Sequence, residues 1–183
     1  MGAWITFLGW VGSRPSETFS ATWERTDLKH GRVTVERVKG AKETETIVLP
    51  APARHALELL PGPRRGLLFL TPQGRPYDKG AWGYYWRPVR AAFVAWLDET
   101  DPGRLAEIRA VKGALDPYAL RHFCGSLMAD RGLTEFDISH QLGNSPEVCR
   151  KTYVHVHRDR ANDRVAMALD GNVVDLSARR KSA

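Results

Sequence analysis

At 183 residues, with 43% hydrophobic and 26% charged residues, the chain has the size and composition of one globular domain with a sizeable core. Its 27 lysines and arginines exceed 21 aspartates and glutamates for a net charge of +6, and a pI near 9.6 suits a polyanionic partner without requiring one. The two cysteines, Cys124 and Cys149, are too few for a disulfide framework and lack metal-ligand spacing, so reduced thiols are expected.

The basic excess is spread along the chain, so any anion site has to be assembled by folding. The apolar run WITFLGWV (4–11) is too short to span a bilayer and reads as a core helix stopped at Gly12. It starts almost at Met1, abruptly for a domain edge, and residues before it are expected to be missing from this chain. Ser13 is the expected N-cap of a helix through Pro15, Ser16 and Glu17. RVTVERV (32–38) and ETETIVLP (43–50) alternate with period two, predicting a β-hairpin with Lys39 and Lys42 at its turn. APARHALELLPGP (51–63) predicts a short helix, and GLLFLTPQGRP (66–76) a short buried strand and a turn.

From Lys79 to Leu97, Trp82, Tyr85, Trp86, Val89, Phe93 and Trp96 recur at three- and four-residue intervals, predicting a long helix with a core stripe. Residues 98–114 are polar and predict a surface excursion. Asp116-Pro117 opens a helix through YALRHFCGSLMADRG, Thr134 and Asp137 form a capping box for the next, and Ser145-Pro146-Glu147 opens a third. A further helix is expected over 159–169 and a loose tail over 171–183.

Taken singly, Arg14, Lys39, Arg121 and Tyr153 each have an ordinary structural reading. Together they suit one reaction. Transfer of a phosphodiester to a side-chain hydroxyl uses guanidiniums to bind the non-bridging oxygens, a proton donor for the leaving oxygen, and an attacking hydroxyl.

The order and spacing of these residues resemble the tyrosine recombinases, or phage-type integrases. GSRPSE (12–17) is similar to the family's G-[LM]-R-x-x-E box, and VKGAKETETIVLP (38–50) to its GKGxKxRxVPL run. YALRH (118–122) is similar to HxLRH, and LGN (142–144), with Tyr153 nine residues on, to the LGH box and tyrosine. The resemblance implies a mostly helical α+β catalytic-domain fold with a small antiparallel β-sheet over 1–170, without the usual preceding DNA-binding domain. It also implies a site-specific DNA recombinase or integrase that cleaves and rejoins strands through a 3′-phosphotyrosyl link.

In that reading Tyr153 is the nucleophile, Arg14 and Arg121 bind the phosphate, and Lys39, or Lys42 as second choice, protonates the leaving oxygen. Tyr118 and Asn144 assist by hydrogen bonding, Glu17 and His122 support the arginines, and Lys42, Arg150 and Lys151 contact DNA. Neither metal nor cofactor is required, and His155 and His157, two residues apart on a helix, would face different ways. Double-stranded DNA is the expected partner, with self-association to a tetramer during recombination, no membrane, and a cytoplasmic, nucleoid-associated location.

Tyr118 and Asn144 depart from the family's usual histidine and histidine or tryptophan. A phenol is a poorer proton acceptor than an imidazole at neutral pH, and a neutral amide is a weaker donor than a cation. Two weakened donors slow such an enzyme, because a single preorganised donor is worth about 10²–10³ in rate. The alternatives are a catalytically impaired DNA-binding relative of the same fold and a non-enzymatic helical interaction protein.

Overall fold

The computed structural model describes residues 1–37, 43–78 and 80–154. Lys39, Lys42, His155, His157, the 159–169 helix and the 171–183 tail lie outside the described residues. Among those described there are eight α-helices and one three-stranded antiparallel sheet, ordered β1-β2-β3. No described helix is long and apolar enough to cross a membrane.

Helix α1 (Gly2–Val11) is apolar on almost every side and is accordingly buried, packing against α3 and α6. It stops at Gly12, whose φ of 74° is the left-handed conformation glycine adopts most easily. The next helix, α2 (Pro15–Thr18), is capped by Arg14 rather than by Ser13. The Ser13 hydroxyl is buried without a hydrogen-bond partner among the described residues.

β1 (Thr26–Asp27), absent from the sequence reading, pairs with β2 (Arg32–Glu36), which pairs with β3 (Thr44–Val48). Val33 opposite Ile47 and the inward Val35 put one face of the hairpin into the core. The predicted strand at 66–76 does not form: Leu67 and Leu70 make only isolated bridges to Thr22 and Pro76, while Leu68 and Phe69 are buried as a loop. Helix α3 (Ala51–Glu58) closes this half, pressing Ala53 and Leu57 onto α1.

Helix α4 (Ala81–Thr100) carries the aromatic series, but the series is not one core stripe. Trp82, Tyr85 and Trp86 pack on the core, while Phe93 and Trp96 are exposed and stack on each other. The far end of α4 extends beyond the large core cluster; among the described residues of this helix only Leu97 is buried. The expected excursion at 98–114 instead contains α5 (Pro102–Ala110), started by Asp101, which accepts from the Arg104 amide.

The last three helices are α6 (Tyr118–Asp130), α7 (Glu135–Leu142) and α8 (Pro146–Thr152). The N-cap of α6 is Pro117, one residue after the expected Asp116. The Thr134–Asp137 capping box and the Ser145 cap form as expected. Cys124, Ala129, Ile138, Leu142, Cys149 and Tyr153 make a second, smaller core between these helices. The large core lies under α1 and the sheet, and the candidate site sits on the seam between the two.

Candidate active site

Three helix ends converge at this seam. Gly12 ends α1 and turns its carbonyl to Arg121 Nη1, which donates to it at 2.7 Å. A β-carbon at Gly12 would overlap Leu142 and stand 2.9 Å from Cys124 Sγ, so the close approach of α1, α6 and α7 depends on glycine. Gly143, with φ of 67°, ends α7 and delivers Asn144 to the two arginines. Arg14 Nη2 donates to Asn144 Oδ1 at 3.0 Å, and Arg121 Nη2 donates to the same oxygen at 2.9 Å. Residues separated by more than a hundred positions thus aim two guanidiniums at one point.

Each arginine is held by further contacts. Arg14 Nη1 pairs with Glu17 Oε1 at 2.6 Å, while the Arg14 backbone amide donates to Oε2 of the same carboxylate. Burial opposes the charge on Arg14, but hydrogen bonding and charge from Glu17, followed by the Tyr118 phenol, hold its pKa above the ordinary value. Arg121 is 1% exposed, and burial followed by the nearby charge of Arg14 lowers its pKa. Its Nε has no partner among the described residues. As a guanidinium it nevertheless stays charged at neutral pH.

Arg37 and Gln141 are parts of the site that the sequence reading missed. Arg37 is 5% exposed. It donates from Nε to Glu45 at 2.7 Å, from Nη1 to Glu17 at 3.2 Å, and from Nη2 to the carbonyls of His140 and Gln141. It thus ties the hairpin to Arg14 through Glu17 and to the C-terminal carbonyls of α7. Its place was legible: the period-two alternation that buries Val33 and Val35 puts residue 37 on the same inward face. Gln141 donates to the carbonyls of Val11 and Val48 and accepts from the Val48 amide, stitching α1, β3 and α7 together. Its position on α7 carried no local signal for this.

Tyr153 follows α8 as its C-cap and is 3% exposed. Its hydroxyl lies 3.3 Å from His122 Nδ1. Burial pushes the phenol pKa up to about 12, against the charge of Arg121, which favours ionisation. His122 is lowered by burial and then by Arg121, which favours the neutral imidazole. Tyr118 is 42% exposed, meets the His122 ring edge-on, and adds to the electrostatics of both arginines and of Tyr153.

Arg14, Glu17, Arg121, His122, Asn144 and Tyr153 are therefore brought together, with Tyr118 at the rim. Arg150 is exposed, and Lys151 is exposed in an ion pair with Glu147 at 2.7 Å. Asn144 turns its carboxamide oxygen, not its amide nitrogen, toward the two arginines. Among the described residues no cluster of three or more metal-ligating side chains occurs.

No protein-family model and no curated protein matches the chain by sequence. Solved structures do match its fold. The Tn1549 transposon integrase, in complex with circular intermediate DNA, superposes with a TM-score of 0.63 at 17% identity over 90% of this chain and 58% of that one. XerA recombinase gives a TM-score of 0.61 at 18% identity over 91% of this chain and 55% of that one. XerH site-specific recombinase, bound to palindromic difH substrate in a post-cleavage complex, gives 0.60 at 18% identity, over 90% and 44% respectively. The chain thus spans about half the length of these proteins. With its eight described helices, its small antiparallel sheet and this superposition, the chain has the catalytic-domain fold of the tyrosine recombinases.

Proposed function

We propose that this chain is the catalytic domain of a site-specific DNA recombinase or integrase that cleaves and rejoins strands through Tyr153. The observation that carries the reading is the meeting of Arg14 Nη2 and Arg121 Nη2 at a single atom, 3.0 and 2.9 Å away. Two cationic donors so arranged suit the non-bridging oxygens of a phosphodiester. The DNA bound in the Tn1549 integrase and XerH structures supports DNA as the partner.

In this mechanism the Tyr153 hydroxyl oxygen attacks phosphorus, the bond to the 5′-oxygen breaks, and a 3′-phosphotyrosyl ester forms. The phenol proton goes to His122 Nδ1, 3.3 Å away. The departing oxygen takes its proton from Lys39 or, as second choice, Lys42. Arg14 and Arg121 stabilise the charge on phosphorus, with Glu17 and Arg37 holding Arg14 in place. Reversal by a new 5′-hydroxyl rejoins the strand with no external energy source. Tyr118 at the rim and Asn144 at the centre complete the pocket, and Lys42, Arg150 and Lys151 bear on the DNA backbone. We place several protomers, a tetramer on two DNA sites, in the full reaction.

The test is a set of nicked duplexes with randomised half-sites, which trap a covalent adduct because the cleaved end diffuses away. Expected is an adduct resistant to denaturing electrophoresis that disappears with Tyr153→Phe. DNA binding that weakens with salt but never gives an adduct overturns the enzyme and supports a non-catalytic DNA-binding relative. The burial of Tyr153, which pushes its phenol pKa up to about 12, is the observation that favours this second reading.

A further inference from the structure

The orientation of Asn144 is decided by its partners. Arginine carries donors and no acceptor, so the atom that meets Nη2 of Arg14 and Nη2 of Arg121 is the carboxamide oxygen. The two guanidiniums carry like charge, and Arg14 is one cause of the lowered pKa of Arg121. A single carbonyl oxygen shared between them offers each the partner that an oxygen of a phosphodiester would offer.

The placement is built into the chain. Gly143 holds Asn144 at the end of α7 in a left-handed turn, and a β-carbon on Gly143 would stand 2.5 Å from Arg37 Nε. Arg14 Nη2 also reaches the Gly143 carbonyl at 3.3 Å. The turn is gripped from both sides, and the short Asn144 side chain has little freedom except rotation of its own torsions.

We propose that the Asn144 side-chain oxygen is an internal stand-in for a phosphate oxygen, occupying the point shared by Arg14 and Arg121 and turning away when a phosphodiester enters. This rests on the reading of the two arginines as a phosphate-binding pair. It goes beyond that reading by making Asn144 a gate on affinity. The chain then binds phosphodiesters more weakly than its two arginines alone permit, because two hydrogen bonds from cations are broken first.

Dimethyl phosphate, a phosphodiester monoanion without sequence, is the probe. Wild type, Asn144→Ala and Asn144→Asp are titrated with it at low salt, reading the Arg14 and Arg121 Nε–H signals by NMR. A hydrogen bond to a charged group is worth about tenfold or more in affinity, and water returns part of that when the partner is removed. On that scale Asn144→Ala is expected to bind about 3- to 10-fold tighter, and Asn144→Asp, whose carboxylate stays in the gate, at least about tenfold weaker. Equal or weaker binding by Asn144→Ala overturns the gate, as does unweakened binding by Asn144→Asp. Should Asn144→Ala lose its circular dichroism signature, Asn144→Ser is read by the same criterion. No titration of either arginine in any variant removes the phosphate-binding pair and the gate with it. Tightening in Asn144→Ala leaves the gate standing even where the wild type forms no adduct with nicked DNA, so the two readings fail separately.

Discussion

Tyr153 lies across the backbone of Gly125 so closely that a β-carbon there would stand 2.5 Å from Cζ and 2.6 Å from Cε1 of the ring. Gly125 is in the interior of α6, where alanine would ordinarily stabilise the helix by about 0.8–1.0 kcal/mol. Overpacking of this kind costs about 1–3 kcal/mol, so the clash wins. Gly125→Ala is therefore expected to push the phenol out of its recess without unfolding the helix. Spectrophotometric titration checks this: the Tyr153 phenol, which burial pushes up to about 12, is expected to move toward the ordinary value of about 10 in the variant.

The same burial predicts a pH dependence of stability. The folded-state pKa of Tyr153 is raised to about 12, above the ordinary phenol value of about 10. Between these values the unfolded chain has released the proton and the folded chain has kept it, so stability falls as pH rises through the window. Below the unfolded value the contribution is complete. Urea unfolding at increasing alkaline pH is expected to show a shallower loss for Tyr153→Phe than for the wild type.

Arg37 joins the hairpin, Glu17 and the end of α7 from a buried position. Arg37→Met removes one partner of the fully buried Glu17 carboxylate and leaves the His140 and Gln141 carbonyls short of a donor. Breaking a buried pair in this way costs about 3–5 kcal/mol. For a domain of this size each kcal/mol shifts the Tm by roughly 2–4 °C, so a loss of at least about 6 °C is expected by calorimetry.

Arg121→Lys separates charge from geometry. Arg121 donates at once to the Gly12 carbonyl and to Asn144 Oδ1 from different nitrogens, and a single ammonium has no planar fork to repeat this. Adduct formation on nicked DNA is expected to fall by about 10²–10³. Retention of wild-type rates by this variant would remove Arg121 from the proposed chemistry.

Local signals carried much of the fold. The stop at Gly12, the Thr134–Asp137 capping box, the Ser145 cap and the alternation of β2 and β3 act over a few residues, and they form where the sequence places them. Where the signal was not local, the reading failed. GLLFLTPQGRP is apolar like a strand, but it finds only isolated bridges and is buried as a loop. Phe93 and Trp96 keep the helical period of Trp82 and Trp86 yet are exposed, because periodicity defines a face without saying how far the core extends beneath it.

By itself the sequence determined where α1 stops and where α7 and α8 are capped, and it offered the residue types that suit the proposed phosphate site, since residue type, cap chemistry and glycine's tolerance of positive φ are properties of short segments. Only the tertiary structure decided that Asn144 turns its oxygen to both arginines, that Arg37 braces Glu17, and that Tyr153 is buried on Gly125. Those relationships join residues as many as 130 positions apart, and packing of α1, α6, α7 and the hairpin against one another sets them.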